Sequence, residues 1–232
     1  MTNEGKKLVT DTVEKTGREY PVAIIKGEDV DEAYGIRGFP TAYLLDTRGR
    51  VVWTGHPGNF EEGKLKALLA KSASVEPLPD KFKDVNKLLR KRELGKAWEA
   101  AGKALASAAG DKDLERLRAD VEKALDKQIE MAEAAAKAAD YGEAVAIYDE
   151  AAEVFAGMPK AADATAARKA IEADPAAKDD LAASSQLKKA DAEVRKGEWD
   201  KAAPIWKAVA KKYAGTKSGE RAAQALKSHN VK

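Results

Sequence analysis

Three segments of this chain can be laid over one another without a gap: LGKAWEAAGKALASA from Leu94, YGEAVAIYDEAAEVF from Tyr141 and WDKAAPIWKAVAKKY from Trp199. Leu94, Tyr141 and Trp199 then align, as do Ala97, Ala144 and Ala202. Ala101, Tyr148 and Trp206 share the next position, followed by Ala104, Ala151 and Val209. Steps of three and four put all these positions on one face of a helix. A small residue beside the bulky ones lets a neighbouring helix approach closely. The pattern therefore predicts an array of packed helices. Its offsets are 141 − 94 = 47 and 199 − 141 = 58, so insertions separate the units.

The rest of the chain reads differently. Alanine dominates the later two-thirds, while β-branched residues and glycine cluster in the first third. EGKKLVTDTVEKTG places Leu8, Val9 and Val13 at helical spacing, with Gly17 suited to a C-cap. YPVAIIK (Tyr20 to Lys26) suits a buried strand, and EDVDEAYGI a short helix. TAYLLD and VVWTGH flank the polar TRGR turn and predict an antiparallel hairpin. NFEEGKLKALLAKS predicts a helix with Asn59 as its N-cap, burying Phe60, Leu65, Leu68 and Leu69. SVEPLPDK (74–81), with Pro77 and Pro79, reads as a linker. The expected organisation is a first domain over 1–73, the linker over 74–81 and a helical domain over 82–232. The fold class is α/β plus all-α.

Two resemblances attach to these residues. The stretch from Tyr20 to Leu69, with AYGIRGFPT, the LLDTRGRVVW hairpin and the terminal helix, resembles the C-terminal half of thioredoxin-like proteins of the TlpA/redoxin type. That resemblance implies an incomplete thioredoxin-like sheet. It makes Pro40 a cis-proline candidate, Phe39 the residue facing an extended substrate segment, and Thr41 their neighbour. The family's Cys-x-x-Cys helix and its flanking central strands precede the point where this chain begins, which leaves sheet edges open. The second resemblance is to tetratricopeptide (TPR) repeats, carried best by KGEWDKAAPIWKAVAKKYAGT, where Gly197, Trp199 and Ala202 match turn and packing positions. DLERLRADVEKALDKQIEMAEAAAKAAD and DLAASSQLKKADAEVRKG would be the first helices of such pairs, and GTKSGERAAQAL a closing helix capped near Ser218. The irregular spacing leaves an irregular helical bundle as the alternative to a superhelical groove.

Composition narrows the chemistry. The chain has no cysteine, so thiol catalysis, disulfides and thiolate metal sites are excluded for it. No catalytic residue, cofactor or metal ligand is assigned. His56 and His229 are the two histidines, in different parts of the chain, and His56 before Pro57 reads as a turn residue. Trp53 reads as a packing residue on its strand, and Trp199 and Trp206, seven apart, as helix core. No phosphate-cradling glycine loop or His-Glu-x-x-His motif is present. The 41 basic and 39 acidic residues nearly cancel, which disfavours general nucleic-acid binding. No apolar run reaches the roughly 20 residues of a membrane helix, and the N-terminus carries no signal-peptide pattern. The expected role is therefore a redox-inactive protein- or peptide-interaction module of thioredoxin-like family, with self-association through open sheet edges as a further consequence. The alternative is a fragment of a thiol-disulfide oxidoreductase whose Cys-x-x-Cys lies upstream of Met1. Family resemblance implies an extracytoplasmic (periplasmic) setting.

Overall fold

The computed structural model describes residues 5–17, 36, 38–45, 51–71, 75–194 and 198–228. In chain order the elements are α1 (Lys6–Thr16), β1 (Ala42–Leu45), β2 (Val51–Gly55) and α2 (Glu62–Lys71). Eight further helices follow: α3 (Lys83–Arg90), α4 (Leu94–Ser107), α5 (Lys112–Lys137), α6 (Tyr141–Val154), α7 (Pro159–Ala173), α8 (Lys178–Val194), α9 (Trp199–Lys212) and α10 (Lys217–Ser228). A small antiparallel sheet thus precedes a helical region, an α/β plus all-α layout. The predicted strand Tyr20–Lys26, the helix after it and the TRGR turn lie outside the described residues.

Gly17 ends α1 in the left-handed conformation (φ 60°, ψ 34°), returning its N–H to the carbonyls of Val13 and Glu14. β1 and β2 pair with Ala42 opposite Gly55, Tyr43 opposite Thr54 and Leu44 opposite Trp53. Between Leu44 and Leu45 the register slips, and Leu45 meets Val51. Such an irregularity breaks the strict alternation of faces, and Val51 and Val52 are both exposed, at 49% and 47%.

Two expectations for α2 need correcting. Asn59 belongs to a separate 3-10 turn, Pro57–Asn59, and α2 starts three residues later. The turn forms because His56 Nδ1 accepts the Gly58 N–H at 3.0 Å, so the local cap is His56. Leu65 and Leu69 are exposed at 37% and 60%, whereas Phe60 and Leu68 are half-buried. The amphipathic pattern is real, but none of the described side chains from 5 to 69 is buried, so among the described residues that face meets no core.

The helical region follows the aligned segments. α4, α6 and α9 begin on Leu94, Tyr141 and Trp199, and each runs 14 residues. Ala97, Ala144 and Ala202 have no exposed surface (0%). Three corners of one design precede these helices. Glu93, Asp140 and Glu198 donate N–H to Leu88, Ala135 and Glu193 carbonyls at 3.0, 2.9 and 3.0 Å. This six-to-one closure is the Schellman bond, and it turns the chain through a left-handed residue. Arg92 (φ 58°) and Ala139 (φ 56°) hold that place in the first two corners. Gly197 occupies the same place in the third segment and lies outside the described residues.

α3 and α7 carry no counterpart in the aligned segments. α7 starts with Pro159 at its first position, where the missing N–H costs nothing. α10 is capped by Thr216, whose Oγ1 accepts the Gly219 N–H at 3.0 Å, rather than by Ser218. Segment 75–79 has no regular structure, yet Leu78 is buried. Two hydrophobic clusters result. One joins Leu78, Leu94, Leu117, Leu125, Tyr148 and Phe155 from residues 78–164. The other joins Ala183, Ala190, Ala202, Trp206, Val209 and Ala222.

Candidate functional site

The residues singled out for binding sit where a bend feeds β1. Gly38, Phe39 and Pro40 form the bend, and the Phe39–Pro40 peptide bond is cis. Phe39 is 65% exposed, the highest value among the exposed large apolar side chains of the described residues. Thr41 is half-buried, and its hydroxyl donates to the Gly38 carbonyl at 2.5 Å, closing the bend over Pro40. β1 begins immediately after, at Ala42. The three predicted residues are therefore contiguous at one end of the sheet, with an aromatic ring presented to solvent and a hydroxyl already engaged by its own turn.

Behind this edge, Trp53 on β2 meets Phe60 edge-on at 4.9 Å between ring centroids. Trp53 is half-buried, as a packing residue should be. His56 is exposed, and its Nδ1 is occupied by the Gly58 amide. Among the described residues no three His, Cys, Asp or Glu side chains gather as a metal site would need, and no helix is long and apolar enough to cross a membrane. The arrangement presents an aromatic ring beside the head of β1. It has no sulfur with which to do exchange chemistry.

The helical region offers a concavity. An open groove of about 660 Å3 lies between α8 and α9, floored by Ala192 and Ile205 and edged by Lys189, Glu193, Glu198 and Lys201. The Lys201 ammonium meets the Glu198 carboxylate at 2.7 Å. That hydrogen-bonded carboxylate holds the lysine above its ordinary range. The charges of this rim are thus paired in part within the chain. Trp199 and Trp206, both on α9, lie with ring centroids 6.4 Å apart.

The most consequential buried polar residue was not visible as a pattern. Asp180 is 3% exposed, and its two carboxylate oxygens accept the backbone N–H groups of Gly142 and Ser218, both at 2.8 Å. Gly142 and Ser218 are the second residues of α6 and α10, and Asp180 is the third of α8. A carboxylate is favoured beside a helix N-terminus, and this one meets three. Its sequence signal is one aspartate in the acidic first turn of α8, indistinguishable there from an ordinary solvated cap.

Comparison with known proteins gives a partial match. The chain is 38% identical over 60 residues to the thiol-disulfide oxidoreductase ResA of Halalkalibacterium halodurans. That stretch is 26% of this chain and spans 34% of the relative's length. It supports a thioredoxin-like relationship. No family model matches the chain, and no solved structure matches it.

Proposed function

We propose that this chain is a thioredoxin-like protein acting as a non-catalytic interaction module, in which the Phe39–Pro40–Thr41 edge receives an extended peptide segment and TPR-like helical pairs provide a second protein-binding surface. The observation that carries this reading is Phe39, 65% exposed at the head of β1 in a chain without a single cysteine. Edge strands bind peptides through main-chain hydrogen bonds, with exposed side chains adding selectivity. Dithiol–disulfide exchange needs a thiolate nucleophile, so the relative's named chemistry does not pass to this chain. The three Schellman corners and the shared burial of Ala97, Ala144 and Ala202 support the helical-pair reading of 82–232.

Fluorescence anisotropy with a panel of labelled, unstructured peptides tests the first surface. Saturable binding is expected, and Phe39→Ala should weaken it by about fivefold or more, the effect of removing an aromatic anchor worth about 1 kcal/mol. Binding unchanged in the variant would move the site elsewhere, and turnover of insulin disulfides above the dithiothreitol background would overturn the non-catalytic reading.

A further inference from the structure

The two hydrophobic clusters of the helical region do not merge. Residues of α3–α7 form one, residues of α8–α10 the other. Polar contacts cross between them. Asp180 on α8 takes the Gly142 N–H of α6 and the Ser218 N–H of α10. Arg221 on α10 pairs with Asp140, the residue that caps α6. Gly142 lies against Ser184 of α8 so closely that an added Cβ would stand 2.5 Å from the serine Cβ and 2.6 Å from its Oγ. The Ser218 hydroxyl is fully buried there without a hydrogen-bond partner. Of the buried apolar residues of α6, Ala144 and Val145 belong to neither cluster.

We infer that α8–α10 form a separately cored body docked on α6 through a polar joint, and that Asp180 is the latch of that joint. An apolar interface holds its parts together by area, without a single decisive contact. A polar one depends on each group being satisfied, because a buried donor left unpaired is costly. Removing Asp180 strands the Gly142 and Ser218 amides together, so the joint opens and α8–α10 loses protection as a unit while the α3–α7 cluster stays intact. Sub-global opening of this kind exposes one contiguous unit without melting its neighbour.

Amide hydrogen exchange on the full chain, wild type against Asp180→Ala and Asp180→Asn, tests this. Asp180→Ala should accelerate exchange across 178–228 by about tenfold or more while residues 83–138 change by less than about twofold. The asparagine variant keeps one acceptor and turns an NH2 toward the other amide, so it should fall between. Arg221→Ala, which breaks only the second contact, should act in the same direction and more weakly. Equal acceleration in both bodies, no acceleration in either, or loss of helicity throughout would each overturn the inference, since two separately cored bodies should neither melt together nor ignore the latch.

Discussion

Asn86 and Leu78 clasp each other reciprocally. The Leu78 N–H donates to Asn86 Oδ1 at 2.8 Å, and Asn86 Nδ2 donates to the Leu78 carbonyl at 2.7 Å. Both residues are buried, at 7% and 5%. Segment 75–79 has no regular structure to satisfy its backbone, so one side-chain amide does so and seats Leu78 in the helical core. Truncating Asn86 to alanine leaves a donor and an acceptor stranded. We expect a loss of about 2–3 kcal/mol in chemical denaturation followed by far-UV circular dichroism. A loss under about 0.5 kcal/mol would show that water reaches Leu78.

Lys81 reaches the N-terminus of α5, where its ammonium meets the Asp111 carboxylate at 2.8 Å. That hydrogen bond, the strongest influence on both groups, holds Asp111 below the ordinary carboxylate range and Lys81 above the ordinary lysine range. A carboxyl lowered in the folded state contributes stability present above its unfolded value of about 4 and lost as pH falls through the folded value. The raised lysine contributes below about pH 10 and loses that contribution as pH rises through its folded value. The tether therefore holds across neutral pH. Asp111→Asn should lower the melting temperature near neutrality, and the gap to wild type should close in acid. A gap that persists at low pH would mean the substitution acts through the α5 cap rather than through charge.

Gly95 and Gly102 both lie in α4 but answer to different neighbours. A Cβ on Gly95 would stand 2.6 Å from the Phe155 carbonyl carbon and 2.8 Å from its oxygen, both fixed backbone. A Cβ on Gly102 would meet only the Arg118 guanidinium, with Nη1 at 3.2 Å, at the end of a flexible side chain. Gly95→Ala should cost about 1–3 kcal/mol through overpacking. Gly102→Ala should be neutral or stabilising by up to about 1 kcal/mol, since alanine is the better helix former. Paired thermal melts decide between them, and equal effects at the two sites would refute the packing account.

Phe155 is the largest fully buried side chain among the described residues. Its replacement by alanine should cost about 3–5 kcal/mol, combining lost burial with the cavity left behind. Calorimetry of the full chain reads this directly, and a cost near that of a surface change would place Phe155 outside the core.

Leu69, 60% exposed on α2, supplies the opposite case. Leu69→Gln should shift the local stability of α2 by less than about 0.5 kcal/mol, measured by amide exchange. A drop of about 1.5 kcal/mol or more would reveal that this apolar face is covered in solution, and light scattering would then show whether a second copy covers it.

Local pattern determined a good deal here. The phase of α4, α6 and α9, their first residues, the closure of α1 at Gly17 and the β1–β2 pairing all follow from contacts between residues near in sequence. The absence of thiol chemistry follows from composition alone. Those signals survive in one dimension because helix faces repeat at three and four residues and strand faces at two. The tertiary structure decided the rest. Leu65 and Leu69 carry the right spacing, yet burial needs a second surface, and none is supplied by the described residues around α2. Leu78 sits in a stretch that reads as a linker, but Asn86, eight residues on, satisfies its backbone and draws it inward. Asp180 binds amides 38 residues away in both directions. A carboxylate's partners at that range depend on which helix ends the fold brings together, and nothing in a helix's own periodicity records that.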